Sequence, residues 1–155
     1  MTEWQWKRFD ELSKHELYEI LKVRQEVFVV EQNCAYVDAD GLDQNAWHLT
    51  GWYQNDADGR RIAAYLRVVF PGCRYEEPSI GRVLTTAQSR GRGLGKVLME
   101  TALCNIERIY PNQAIRISAQ QYLERFYHAL EFSRVSEPYS EDGIPHIELL
   151  RGCNR

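Results

Sequence analysis

The segment Arg90-Gly91-Arg92-Gly93-Leu94-Gly95 joins a short apolar stretch at 80–85 to a long amphipathic one at 94–110. The first stretch predicts a strand, and the second has the apolar spacing of a helix. Glycines let backbone N–H groups approach an anion, and a helix N-terminus adds unpaired N–H groups and a positive dipole end. Basic side chains lie at the same place, namely Arg90, Arg92 and Lys96. The sequence therefore predicts a phosphate or pyrophosphate site at 90–96.

Two common nucleotide motifs do not fit this segment. A P-loop needs Gly five residues before its Gly-Lys pair and Ser or Thr after it, but Arg90 and Val97 stand at those positions. The dinucleotide fingerprint spaces its glycines G-x-G-x-x-G, whereas this segment has G-x-G-x-G. A nucleotide-phosphate binder of another fold is a weaker alternative that both failures disfavour.

The rest of the chain predicts an α/β fold with a mixed, mostly antiparallel central sheet flanked by helices. Ser13 and Glu16 form a capping box that begins a helix over 14–28. Further strands are predicted at 47–53, 62–70, 115–119, 132–135 and 146–150, and a short helix at 122–130. Turn residues at 55–59 make the first two of these strands an antiparallel hairpin. The strand–helix–strand order around 80–119 predicts one parallel pair. No repeat or linker divides the chain, so 1–155 is predicted to be one domain.

Composition limits the function classes. The net charge of −3 disfavours bulk attraction to nucleic acid, and 44% hydrophobic residues suit a globular core. No apolar run resembles a signal peptide or a membrane span. The cysteines are far apart and form no metal-ligand pair, which predicts free thiols and a cytoplasmic protein: Cys34, Cys73, Cys104 and Cys153.

The segment 31–46 is polar and irregular, and we expect a solvated loop. Its aspartates do not form a calcium loop, because counting an EF-hand from Asp38 places Leu49 where an acid is required. Arg24 falls on the apolar stripe of the predicted first helix. It is interpreted either as a snorkelling side chain at the core edge or as a charge that faces a site.

The glycine segment resembles the acetyl-CoA signature of the GNAT acetyltransferase superfamily, Gln/Arg-x-x-Gly-x-Gly/Ala. The later segment Phe126-Tyr127-His128-Ala129-Leu130-Glu131-Phe132 resembles the family pattern F-Y-x-x-x-G-F, with Glu131 where Gly is usual. Longer strings at 27–34, 80–83 and 141–146 are similar to the bacterial ElaA-type branch. The resemblance covers nearly all of 1–150.

This resemblance implies an acyl-CoA-dependent N-acetyltransferase without a metal, in which an amine attacks the thioester directly in a ternary complex. It places pantetheine beside the backbone of Val83 and Thr85, where the family's strand carries a bulge and splays from its neighbour. It assigns the pyrophosphate to Arg90, Gly91, Arg92, Gly93, Gly95 and Lys96. The main alternative is a non-catalytic module that binds or senses acyl-CoA.

The resemblance also makes Tyr127 the general acid that protonates the leaving thiolate; the competing interpretation is a core aromatic. The base is not specified by the sequence: His146 is the first candidate, His48 the second and Glu31 the third. We expect Glu31 and His48 on the acceptor side, and the acceptor chemistry between the 31–46 and 141–146 segments. A small-molecule amine, a peptide N-terminus and a protein lysine all remain open as acceptors, as does a homodimer.

Overall fold

A computed structural model describes residues 2–55 and 59–152 of the chain. Its strands form one sheet in the order β1-β2-β3-β4-β5-β8-β6, with β7 paired to β8. The strands are β1 Thr2–Arg8, β2 Ala46–Asn55, β3 Gly59–Val69, β4 Ser79–Thr85, β5 Ile115–Gln120, β6 Ser133–Arg134, β7 Tyr139–Glu141 and β8 Ile144–Arg151. The helices are α1 Lys14–Arg24, a π-helix Gln25–Glu31, α2 Leu94–Ile109 and α3 Glu124–His128. The tip of the predicted 55–59 turn and Cys153 lie outside the described residues.

The predicted mixed α/β architecture is confirmed. The pair β4–β5 is parallel, and the other pairs in the described ranges are antiparallel. Alternate residues of β3 enter two cores: Leu66 packs with Leu98 and Ile106 of α2, and Tyr65 packs with Ile20 and other residues of α1 and the π-helix. Helices therefore cover both faces of the sheet, which is why β3 is buried over most of its length.

The middle of β4 departs from regular pairing in two ways. Its register with β3 shifts between Tyr65 and Arg67, which pair with Leu84 and Gly81, so β4 carries one extra residue there. Its parallel pairing with β5 is confined to Ser79↔Arg116 and Ile80↔Ile117. Beyond Ile80 the two strands diverge, which confirms the expected bulge and splay and leaves a gap in the sheet.

Several sequence expectations need correction. No element was predicted for residues 2–8, yet they form β1. Trp4 of β1 lies against Gly51 of β2, where a Cβ added to the glycine would be 2.8 Å from the Trp4 ring. The first helix does not stay α-helical to residue 28, because it changes to a π-helix at Gln25. The short strand β7, at 139–141, was also not predicted.

Candidate active site

The gap between β4 and β5 opens into a cleft of about 820 Å³. Val83 and Thr85 line one wall, Ser118 of β5 lines the opposite wall, and the π-helix and the 31–46 segment complete the sides. A second recess of about 280 Å³ lies over the glycine loop and shares Thr85 and Arg90 with the cleft. Together the two cavities form a path from the loop into the sheet.

The glycine loop presents backbone N–H groups to the recess. Gly91 and Gly93 adopt left-handed φ values of 83° and 70°, a conformation that glycine accepts at little cost. Gly93 is the N-cap of α2, and no side chain within the described ranges caps the helix, so none of them satisfies the amides of its first turn. Gly95 lines the recess beside Phe126. An anion is the group that such a helix start accommodates.

The basic residues of the loop are placed differently from one another. Lys96 lines the recess, and its ammonium lies 3.8 Å from Glu100 Oε1 in an exposed ion pair. Arg92 is exposed and lines neither the recess nor the cleft. Arg90 turns into the junction of the two cavities.

Arg90 bonds to the end of β4 and to the π-helix. Its Nε and Nη2 donate to the Thr85 carbonyl at 3.1 and 2.9 Å, and Nη2 also donates to Glu31 Oε2 at 2.7 Å. Glu31, expected on the acceptor side, thus lies against the glycine loop although it also lines the cleft. The ion pair with Arg90 makes Glu31 a weaker candidate base, and its expected place on the acceptor side stays a prediction.

Tyr127 lines the cleft with only 3% of its surface exposed. Among the described residues no group hydrogen-bonds its hydroxyl. Burial, with a smaller contribution from Tyr122, raises the pKa of Tyr127 above its usual value. The phenol therefore keeps its proton at neutral pH and has that proton free to donate into the cleft.

The turn after Tyr127 keeps the shape of a glycine turn although Glu131 replaces the glycine. Glu131 adopts a φ of 71°, and the Phe132 amide donates to the Tyr127 carbonyl at 3.1 Å. Arg151 fastens the turn by donating to the Leu130 carbonyl and to Glu131 Oε2, each at 3.1 Å. The departure from the family pattern thus leaves the position of Tyr127 intact.

His146 lines the same cleft as Tyr127, at the end formed by the β7–β8 hairpin. Its Nδ1 is 2.8 Å from the Ile144 carbonyl, which fixes the proton on that nitrogen. Its Nε2 lies 3.3 Å from Glu141 Oε2 and is the nitrogen left for proton transfer. His146 can act on an acceptor only when Glu141, which is half-exposed, releases this nitrogen.

His48 does not belong to the cleft, which corrects its selection as a candidate base and acceptor-side residue. It is completely buried, with Nδ1 2.7 Å from the Tyr65 hydroxyl and Nε2 2.9 Å from the Asp43 carbonyl. Burial lowers the pKa of His48, so the neutral ring is favoured. Residues on both faces of β2 are buried, among them His48 and Thr50 on one face and Leu49 on the other, and the prediction of a strand at 47–53 does not specify this.

The 31–46 segment is irregular and exposed at most positions, as expected of a solvated loop, but its aspartates are paired with arginines from three separate elements. Asp43 Oδ1 accepts from Arg24 Nη1 at 2.6 Å and from Arg67 Nη1 at 2.8 Å. Asp40 and Asp38 complete the cluster, which we call the arginine–aspartate network: Arg24, Arg67, Arg82, Asp38, Asp40 and Asp43. Arg24 is therefore a buried ion-pair partner, neither snorkelling nor facing a site.

The network was missed because its partners are far apart in sequence. Arg67 lies within the predicted strand 62–70, where a lone basic residue in an apolar run was the available signal. Despite burial, the arginines lower the pKa of Asp40 and of Asp43. Burial alone would raise those pKa values, so the ion pairs prevail.

Within 2–55 and 59–152, no three His, Cys, Asp or Glu side chains are grouped so as to hold a metal ion. Of the helices in the same ranges, none is both long and apolar enough to cross a membrane.

Comparisons with known proteins agree with this geometry. A model of the acetyltransferase (GNAT) domain matches residues 59–149. The chain is 46% identical to a UPF0039 protein of Synechocystis, over 95% of this chain and 93% of that one. It is 40% identical to ElaA of Escherichia coli, over 97% of each. A crystal structure of an acyl-CoA N-acyltransferase from Pseudomonas aeruginosa superposes with a TM-score of 0.91 at 41% identity, over 98% of this chain and 100% of that one.

Proposed function

Since the chain belongs to the GNAT acetyltransferase family, we propose that it transfers an acetyl group from acetyl-CoA to a primary amine. The amine attacks the thioester carbonyl directly while both substrates are bound. One observation carries the proposal: the unpartnered amides at the start of α2 and the free hydroxyl of Tyr127 line two cavities that meet at Thr85 and Arg90.

The glycine loop fits the pyrophosphate of CoA. Left-handed Gly91 and Gly93 leave open space where a Cβ would stand, and Lys96 supplies a cation at the rim. From there the path into the cleft follows Thr85 and Val83, whose backbone at the splayed edge of β4 can pair with pantetheine as an added strand would. The Thr85 carbonyl becomes available when Arg90 turns toward the phosphates.

Tyr127 and His146 are suited to different proton transfers at the reacting carbon. When the C–S bond breaks, Tyr127 donates its proton to the departing sulfur, whose thiol has an ordinary pKa of about 8.5. His146 Nε2, or a water beside it, accepts the proton that the attacking amine loses. Holding both substrates in one cleft supplies the rest of the rate enhancement by proximity.

We further expect the enzyme to act in the cytoplasm, where a reducing environment keeps thiols such as Cys34, Cys73 and Cys104 free. The acceptor side is bounded by the 31–46 segment and the β7–β8 hairpin, and its identity is the main question for experiment.

The test is a thiol-release assay with acetyl-CoA against a panel of small amines, peptides with free N-termini and lysine-containing peptides. We expect amine-dependent release of CoA with at least one class, and the acetylated amine in the product by mass spectrometry. Binding of acetyl-CoA without turnover of any class would favour the acyl-CoA-sensing module instead.

A further inference from the structure

Arg82 has a backbone conformation that is unusual for a residue with a side chain. Its φ is 53°, in the left-handed region that favours glycine. Gly81, immediately before it, does not take a positive φ, although glycine would do so at lower cost. The strained backbone conformation therefore occurs at Arg82, whose side chain can form bonds that stabilise it, and not at Gly81.

The Arg82 side chain is fixed by the 31–46 segment. Its Nε donates to Asp38 Oδ1 at 2.8 Å, and its Nη2 donates to the Asp38 carbonyl at 3.1 Å and to Asp40 Oδ2 at 3.3 Å. The guanidinium also lies over the Tyr36 ring, 5.6 Å from its centre. A planar fork that bonds backbone and carboxylates together is a geometry that lysine cannot reproduce.

The two aspartates that bond to Arg82 are each bonded to a second, buried arginine as well. Arg24 donates to Asp38 Oδ2 at 2.8 Å, and Arg67 donates to Asp40 Oδ2 at 2.6 Å. Both arginines are completely buried, whereas Arg82 and Asp40 line the cleft. Arg82 is therefore tied to a rigid anchor and not to a mobile loop.

Arg82 lies in the irregular part of β4 that forms a wall of the cleft. The extra residue of β4 falls between Gly81 and Leu84, and pairing with β5 ends at Ile80, just before it. We propose that Arg82 is a positioning residue: its bonds to Asp38 and Asp40 hold the β4 bulge, and so set the slot in which Val83 and Thr85 receive pantetheine. This inference rests on the proposed function.

The test compares CoA affinity, measured by calorimetry, in Arg82→Gln, Arg82→Gly and a matched control, Arg116→Gln. Arg116 lies on β5, is 22% exposed against 18% for Arg82, and is likewise ion-paired, to Glu77 and Glu148. We expect both Arg82 variants to bind CoA about tenfold more weakly or worse, because small misplacements in such a slot are costly. Arg116→Gln should bind CoA as the wild type does.

The glycine variant separates positioning from stability. Glycine relieves the strained φ but removes the tie, so Arg82→Gly should unfold at a temperature close to that of Arg82→Gln or higher and still bind CoA weakly. Arg82→Lys, which keeps the charge without the fork, should recover only part of the affinity. Faster amide hydrogen exchange at 83–85 should accompany the loss in both Arg82→Gln and Arg82→Gly.

Three results would overturn the inference. If Arg82→Gly and Arg82→Gln keep wild-type affinity for CoA, the bulge is held by the backbone alone, and the proposed function stands. If Arg116→Gln loses as much affinity as Arg82→Gln, the effect is a general one of lost ion pairs. If the wild type itself does not bind CoA, the proposed function fails, and the inference fails with it.

Discussion

The proposed cofactor end of the site, at the glycine loop, and the proposed acceptor end, in the cleft, are built in different ways. The cofactor end is made by backbone amides of a contiguous segment, 90–96, at the start of one helix. The acceptor end is bounded by the 31–46 segment and the β7–β8 hairpin, and side chains from distant positions fix its shape. A backbone site can be recognised from local sequence, whereas a side-chain network depends on the tertiary fold. Mutations at the cofactor end should therefore weaken ligand binding, whereas mutations at the acceptor end should destabilise the fold.

Tyr127 lines the cleft, and its variant should show the largest effect. Tyr127→Phe keeps the ring between Phe126 and Phe132 but removes the proton donor. We expect kcat to fall by about 10²–10⁴, the usual contribution of a general acid, with little change in acetyl-CoA affinity. Tyr110→Phe, which removes a hydroxyl bonded to Trp47 outside the cleft, is the control. Wild-type kcat in Tyr127→Phe with a good acceptor would make Tyr127 a core residue only.

Mutations in the arginine–aspartate network at the acceptor end should lower the free energy of unfolding. Asp43→Ala leaves Arg24 and Arg67 buried with too few acceptors, and breaking such a pair costs about 3–5 kcal/mol of unfolding free energy. Urea denaturation measures the loss. The exposed Asp10→Ala is the control and should stay within about 0.5 kcal/mol of the wild type. A loss below about 1 kcal/mol in Asp43→Ala would mean that the network does not anchor this segment.

The cofactor end should lose binding while the fold stays intact. Gly93→Asp puts a carboxylate beside the proposed pyrophosphate site and should weaken acetyl-CoA binding tenfold or more, about 1.4 kcal/mol. Gly72→Asp is a matched control, because Gly72 has a φ of 86° and open space around it, as Gly93 has, but lies in a different turn. Both variants bear the same backbone strain, so equal CoA affinities in the two would refute the loop as the anion site.

The smallest effect concerns pH and His48. Its folded-state pKa is lowered by burial, so between that value and the ordinary value of about 6.5 the unfolded chain binds more protons. Stability should consequently fall as the pH is lowered from 7 to 5, by less than about 1.4 kcal/mol per pH unit, which is the limit for a single group. His48→Gln, which can still meet Tyr65, should flatten this slope. An unchanged slope in thermal unfolding of the variant would contradict the assignment.

The sequence was informative where local rules decide the structure. The glycine spacing, the α2 periodicity and the alternation at 115–119 predicted elements that the structure contains. It was uninformative for His48 and Arg24, whose environments are created by β3 and the 31–46 segment. β1 lies between these cases: Trp4 and Trp6 alternate with polar residues, which is a strand signal, although no element was predicted there.

Calorimetric titration of the wild-type protein with CoA, and separately with ATP, tests the central claim most directly. The account predicts one CoA bound per chain with micromolar or tighter affinity, roughly −8 kcal/mol or better, and ATP at least about tenfold weaker. That preference would follow from a slot along β4 that accepts pantetheine beyond the pyrophosphate. Equal affinities for CoA and ATP, or no binding of CoA, would contradict it.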